Sequence, residues 1–479
     1  MTDPFHWVMG TRLQVPTKLV PADVVFVVLV LLVTLPAFRS TGRDGGSRSR
    51  WPDRAAWRRT GIRALGAVGG GLVGLLACWV VGDLLNAFDV LLTDVTRMWV
   101  AFAFAGLGLA AVGLVQGGRV RRVLAVVLVP LALLVPALGV NVDYAAYPTL
   151  NALVQTDPFP ALDLGAETGA VGAAAGASTS GSGAAAGSGT SGSGGAAGAT
   201  GAWAPPATMP ATGLVGTVRI PGRESGFPAR PAVVYLPPAA RSADPPPLPV
   251  IVSLSGQPGS PSDMFTVGGL ATTLDAYAAA HHGIAPIVVS ADQLAVPGHN
   301  TMCVDSTIGN AATYITRDVP DWITSHLRVT TDRRGWGLVG FSQGATCAMQ
   351  FLAGHPDRFS AALAISSEPQ PIDRSPQNSA DEAFGGSLSR WRAAAPGALM
   401  AANRPYRDTS VWLTAGSTDG EFVRSAQHLG SAARAAGIRT TVASAPGSGH
   451  DWNTVQWSVS NELPHEADVL LTAPGVVHG

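Results

Sequence analysis

Four long apolar runs occupy the first third of the chain, and beyond them short β-branched runs alternate with longer helical patterns. The long runs are Leu19 to Phe38, Ala64 to Gly82, Met98 to Gly118 and Val123 to Val142. Each is close to the ~20 helical residues that a bilayer's hydrocarbon core requires, so the pattern predicts a four-helix transmembrane region over residues 1–142. Asp23 makes the first run the least clean. Gly66, Gly70 and Gly74 repeat at four-residue spacing and predict close approach of another helix to the second span. Pro130 and Pro136 are expected to kink the fourth.

From Gly165 to Ala202 the chain is glycine, alanine, serine and threonine, with Glu167 the only charge and Val171 the only larger aliphatic. Such a stretch cannot bury a core, and it predicts a flexible tether inside a linker over residues 143–211. Residues 212–463 carry candidate strands at Thr217–Ile220, Ala232–Leu236, Val250–Leu254, Pro286–Ser290, Gly335–Phe341, Ala361–Ser366, Val411–Ala415 and Thr440–Ala443. Helical patterns separate most of them, which predicts an α/β domain with a mostly parallel sheet. The first two strands have no room for a helix between them and are expected to form an antiparallel edge pair. Residues 464–479 read as a polar tail.

Composition narrows the function. Only 13% of the 479 residues are charged against 47% hydrophobic, and the formal net charge is −1, so a polyanion-binding surface and a nucleic-acid partner are not expected. Lys18 is the only lysine, which excludes a P-loop or Schiff-base lysine in the soluble part. Three cysteines without a CxxC pair suggest neither a disulfide scaffold nor zinc, and no metal or cofactor is implied. Arginine is concentrated between the first two runs, at Arg39, Arg43, Arg48, Arg50, Arg54, Arg58, Arg59 and Arg63, and that loop is expected to be cytoplasmic. Four alternating spans then place both termini, and the domain beyond the tether, outside a cell membrane that the chain crosses several times. Buried acids, histidines and lysines are missing from the span centres, so an ion path is not indicated.

The chemical centre of the domain is Gly340, Phe341, Ser342, Gln343 and Gly344. In a glycine-rich chain this GxSxG pattern alone is weak, but an apolar strand precedes it and a helical pattern follows. That context predicts a nucleophile elbow exposing the Ser342 hydroxyl. A serine nucleophile needs a histidine base and an orienting carboxylate. His450 lies in a glycine-rich loop just after the last candidate strand, and Asp419 follows the strand before it; Glu421 is the alternative acid. Backbone N–H groups of Gln343 and of Gln257, in the loop after the third strand, are the expected oxyanion donors. Cys303 and Cys347 form either a bridge, which an extracytoplasmic site permits, or two buried thiols. The segment from Glu368 to Pro405 is a candidate substrate-covering insertion or a plain surface excursion.

These residues carry a resemblance. The domain is similar to the esterase branch of the α/β-hydrolase superfamily that includes enterochelin esterases, S-formylglutathione hydrolases and secreted mycolyltransferases. The matching pieces are SGQPGSPSDMF at Ser255, DVPDWI at Asp318, GFSQGATCA at Gly340, HPDRFSAALAIS at His355, AGSTDGEF at Ala415 and GSGHDW at Gly447. The resemblance implies an α/β-hydrolase domain with Ser342, Asp419 and His450 as its triad. Ser255 departs from it, because related esterases often have histidine before the oxyanion-loop glycine. The spans resemble those of membrane-anchored esterase-like proteins of high-GC bacteria. The expectation is a serine esterase acting through an acyl-enzyme on a small acyl ester or envelope lipid. The alternatives are an acyltransferase that passes the acyl group to a sugar or other alcohol, and an inactive cell-envelope binding module.

Overall fold

The computed structural model describes residues 16–35, 54–85, 92–147, 150, 159–164 and 203–476. The chain divides into two units, residues 1–156 with 450–453 and residues 157–449 with 454–479.

In the first unit, α1 is Pro16–Thr34, α2 is Arg54–Cys78 with a π-helical continuation over Trp79–Leu84, α3 is Asp94–Gln116 and α4 is Arg119–Tyr144. Three of these are long and apolar enough to cross a membrane, over Arg54–Leu84, Asp94–Gln116 and Arg119–Tyr144. The expected first span, Leu19–Phe38, is described only in part, and there α1 carries an apolar stretch over Pro21–Thr34. Pro21 and Asp23 stand at the front of that stretch, and residues 36–38 of the expected span lie outside the described residues. The glycine stripe on α2 does what its spacing predicts. A Cβ on Gly70 would overlap the Phe104 carbonyl oxygen, and one on Gly74 would come within 3.0 Å of the Val100 carbonyl oxygen, so the backbones of α2 and α3 touch. Thr93 starts α3 by accepting the Thr96 N–H at 3.0 Å. Pro130 and Pro136 both lie inside α4.

The second unit is built on one eight-stranded sheet: β1 Leu214–Val218, β2 Ala232–Leu236, β3 Val250–Leu254, β4 Ile287–Ser290, β5 Trp336–Phe341, β6 Ala361–Ile365, β7 Ser410–Gly416 and β8 Arg439–Ala445. Their spatial order is β1-β2-β4-β3-β5-β6-β7-β8. β2 runs antiparallel to both β1 and β4, and all other neighbours are parallel. This is the expected α/β-hydrolase architecture. Helices α5 Leu270–Ala280, α6 Val319–His326, α7 Gln343–Gly354, α8 Pro376–Ala383, α9 Leu388–Ala393, α10 Pro396–Asn403, α11 Gly420–Ala436, α12 Trp452–Asn461 and α13 Leu463–Leu471 connect and cover the strands. Strands β2 to β7 are buried along their whole length, which is why they read as near-continuous apolar runs. β8, at the edge, is largely half-buried or exposed and is correspondingly rich in threonine and serine.

Two boundaries differ from the sequence reading. Residues 159–164, expected inside the linker, extend the sheet beyond β1: Leu162 N–H donates to Thr217 at 2.9 Å and Thr217 N–H to Pro160 at 2.8 Å. The tether proper, 165–202, lies outside the described residues. The expected polar tail is instead α13, whose Leu463, Ala467, Leu470 and Leu471 are buried at helical spacing. Glu466, on the same face, is fully buried against Gly337, where a Cβ would come within 2.6 Å of its Oε1. Burial holds the Glu466 carboxyl well above the ordinary glutamate value of 4.5, and the Leu338 backbone offsets only part of that. A raised acid favours the protonated folded state, so the stability it permits at low pH falls as pH climbs above 4.5. Glu466→Gln is therefore expected to raise Tm above neutral pH, by roughly 2–4 °C for each kcal/mol recovered, and to flatten the decline of Tm with pH. Parallel Tm–pH curves for the two proteins would refute this.

Candidate active site

β5 ends at Phe341 and α7 begins at Gln343, and Ser342 between them has φ 55° and ψ −121°. A residue with a side chain adopts that backbone only when its surroundings impose it. Here the Ser342 N–H donates to Ile365 at 2.8 Å, and its carbonyl accepts the Ala345 and Thr346 N–H groups at 2.9 and 3.0 Å. The flanking glycines are obligatory. A Cβ on Gly340 would overlap the Gly344 backbone, and one on Gly344 would overlap the Leu254 and Ser255 carbonyl oxygens. The start of α7 thus rests directly on the end of β3. The Gln343 N–H sits at the N-terminal end of α7, where an α-helix supplies no acceptor of its own.

The loop after β3 borders the serine, since a Cβ built on Gly256 would lie 3.5 Å from Ser342 Cβ. Gln257 follows, and its side-chain amide donates to the Gly298 carbonyl at 3.2 Å. Asp263 fastens the far side of this loop by accepting the Ser260 N–H at 2.9 Å and its hydroxyl at 2.7 Å. Burial pushes the Asp263 carboxyl upward, and the two Ser260 bonds counter it.

Beneath the serine runs a buried amide relay that the sequence did not signal. Gln293, in the loop after β4, donates to the Ser255 carbonyl at 2.6 Å and to Gln343 Oε1 at 2.9 Å. Gln343 Nε2 in turn donates to Asn300 Oδ1 at 3.2 Å. Next to Gln293 in sequence, Asp292 is a buried carboxylate paired bidentately with Arg230 at 3.0 and 2.8 Å. The Gln293 side chain therefore joins the loop carrying Gln257 to the residue directly after Ser342. A glutamine in a connecting loop has no periodicity to mark it.

The second cluster lies at the ends of β7 and β8. Asp419 is half-buried and caps α11, accepting the Phe422 N–H at 3.4 Å, whereas Glu421 is exposed. Thr418 donates to the Ser448 carbonyl through its N–H at 3.0 Å and its hydroxyl at 2.7 Å, and the Gly447 N–H donates to Ser417 Oγ at 2.8 Å. A Cβ on Gly416 would overlap the Ser448 and Gly449 carbonyls. The loop carrying Asp419 is thus stitched to Gly447 and Ser448, and the three expected triad residues Ser342, Asp419 and His450 all follow C-terminal ends of parallel strands. Among the described residues no group of three or more His, Cys, Asp or Glu side chains is arranged to hold a metal ion.

Cys303 and Cys347 are bridged, with Cα atoms 5.5 Å apart, tying the loop that carries Asn300 to α7 four residues past Gln343. Thr346, one residue earlier, donates to the Glu368 carboxylate, and the Glu368 N–H returns a bond of 3.0 Å. The segment Glu368 to Pro405 folds into α8, α9 and α10, with Ala380, Ala383, Phe384 and Trp391 packed on Met302. Because 44 residues separate the bridged cysteines, the Cys303→Ser/Cys347→Ser protein is expected to lose about 2–4 kcal/mol of stability. Dithiothreitol should lower the wild-type denaturation midpoint comparably and leave the double variant unmoved. Equal midpoints for oxidised wild type and variant would contradict this.

Residues 229–464 match the Esterase family model, described as "Putative esterase". An uncharacterized protein of Corynebacterium glutamicum is 35% identical over 242 residues, and the match covers 50% of this chain and 57% of the relative's length. Among solved structures, an S-formylglutathione hydrolase from Agrobacterium tumefaciens is similar with TM-score 0.46 and 19% identity, over 55% of this chain and 97% of that one. MPT51 of Mycobacterium tuberculosis is similar with TM-score 0.39 and 21% identity, over 55% and 99%.

Proposed function

Taking residues 229–464 as an α/β-hydrolase domain of the esterase family, we propose that the protein is a membrane-anchored serine esterase whose catalytic unit faces away from the cytoplasm. The observation that carries this reading is the backbone of Ser342, held at φ 55° between a buried strand and a helix start, with both neighbouring glycines fixed by backbone contact. In the proposed reaction Ser342 Oγ attacks the ester carbonyl while His450 takes its proton, and Asp419 orients the imidazole and balances its charge. The oxyanion is held by the N–H groups of Gln343 and Gln257. The alcohol leaves with the proton from His450, and water then attacks the acyl-enzyme with His450 as base. The facing of the unit is supported by the arginine-rich loop before Arg63 and by the Cys303–Cys347 bridge, a form that persists in oxidising compartments.

The test is hydrolysis of p-nitrophenyl acetate by the full chain in lipid nanodiscs, with and without a sugar acceptor. Steady release of acetate supports the esterase. Accumulation of acetylated sugar in place of acetate would reassign the protein as an acyltransferase, and no turnover by folded protein would favour a binding module.

A further inference from the structure

We propose that Val296 and Ile372 line an apolar subsite that takes the acyl arm of the ester, so that the substrate class is an ester of an aliphatic acid longer than acetate. This rests on the esterase reading and deepens it. Among the described residues from 203 to 476, Val296 at 50% and Ile372 at 37% are the only exposed large hydrophobic side chains. A single exposed aliphatic needs no explanation. These two, however, flank one short loop that is wired to both expected oxyanion donors.

Val296 stands two residues before Gly298, whose carbonyl accepts the Gln257 side chain at 3.2 Å. Ile372 is tied to the same loop from the other side, because Asn300 donates to the Ile372 carbonyl at 2.7 Å while accepting from Gln343 at 3.2 Å. Neither aliphatic is exposed by looseness of the chain. The Trp391 indole N–H holds the Pro371 carbonyl at 2.7 Å, so two consecutive carbonyls are pinned and the Ile372 side chain is still left outward. On the other side, Ala295 has φ 61°, a conformation disfavoured for a residue with a side chain. Two successive turns meet at Val296, whose N–H donates to Leu294 at 2.7 Å and whose carbonyl accepts the His299 N–H at 3.0 Å. Backbone strain and buried hydrogen bonds thus keep two aliphatic side chains in water next to the loop that carries Gln257. A hydrocarbon arm that covers them would remove that surface from water.

The experiment compares kcat/KM for p-nitrophenyl hexanoate and acetate in nanodiscs, for the wild type and for Val296→Ser, Ile372→Ser and the double variant. The wild type should prefer hexanoate, and the double variant should lower the hexanoate-to-acetate ratio about tenfold, mainly through KM, as expected for lost apolar contacts. Val296→Ile should keep or increase the preference, which a merely structural role does not predict. A ratio unchanged in the double variant, with acetate still hydrolysed, overturns the subsite and assigns these side chains to a membrane or protein contact. Failure of the wild type to hydrolyse either ester overturns the esterase reading itself.

Discussion

Ser342→Ala is expected to lower kcat for ester hydrolysis by roughly 10^4-fold or more while leaving the fold intact, because in the proposed mechanism nucleophile, base and acid act as a unit. The substitution removes only the hydroxyl and leaves the elbow's backbone bonds to Ile365, Ala345 and Thr346 in place. Tm should therefore stay near the wild-type value. Ser342→Gly sharpens the test. Glycine tolerates φ 55° without penalty, so this variant should be equally inactive yet at least as stable as wild type. Such a pairing of lost activity with unreduced stability is what a strained catalytic corner predicts, whereas a serine serving only as a helix cap would show the reverse. Initial rates and thermal unfolding of the three proteins decide between them.

Gln293→Met should cost about 10- to 100-fold in kcat with little change in KM, since it disturbs the placement of the proposed oxyanion donors, which act mainly on the transition state. Methionine keeps the volume but donates nothing, leaving the Ser255 carbonyl and Gln343 Oε1 without the bonds of 2.6 and 2.9 Å that Gln293 now provides. Each orphaned buried acceptor costs about 1–3 kcal/mol, and the loop carrying Gln257 relieves this by moving. Gln293 is fully buried and acts only through its neighbours. If its role were purely structural, Tm would fall and kcat per folded molecule would not change. Measuring both separates the two.

Much of the second unit was legible in the sequence because its sheet is buried on both faces. Ala232–Leu236 and Val250–Leu254 read as strands at their true limits, since short runs rich in valine and isoleucine, each preceded by proline, leave little choice of boundary. The elbow was legible for a different reason: the glycines at 340 and 344 are demanded by backbone contacts, so the spacing itself records the geometry. What escaped notice depended on tertiary partners. Residues 159–164 contain no strand pattern and pair with β1 only because an edge was available. Residues 464–471 read as polar tail, although Leu463, Ala467, Leu470 and Leu471 already spelled a buried helical face. The Gln293–Gln343–Asn300 relay joins residues 50 and 43 positions apart through side-chain amides, a relation that no local pattern encodes.

The most direct measurement is the intact mass of the full chain after reaction with a fluorophosphonate, followed by mapping of the modified peptide. The account predicts a single phosphonyl adduct on Ser342 in the wild type and none in Ser342→Ala. An adduct on a different residue, or an unmodified Ser342 in protein that still hydrolyses the ester, would contradict it.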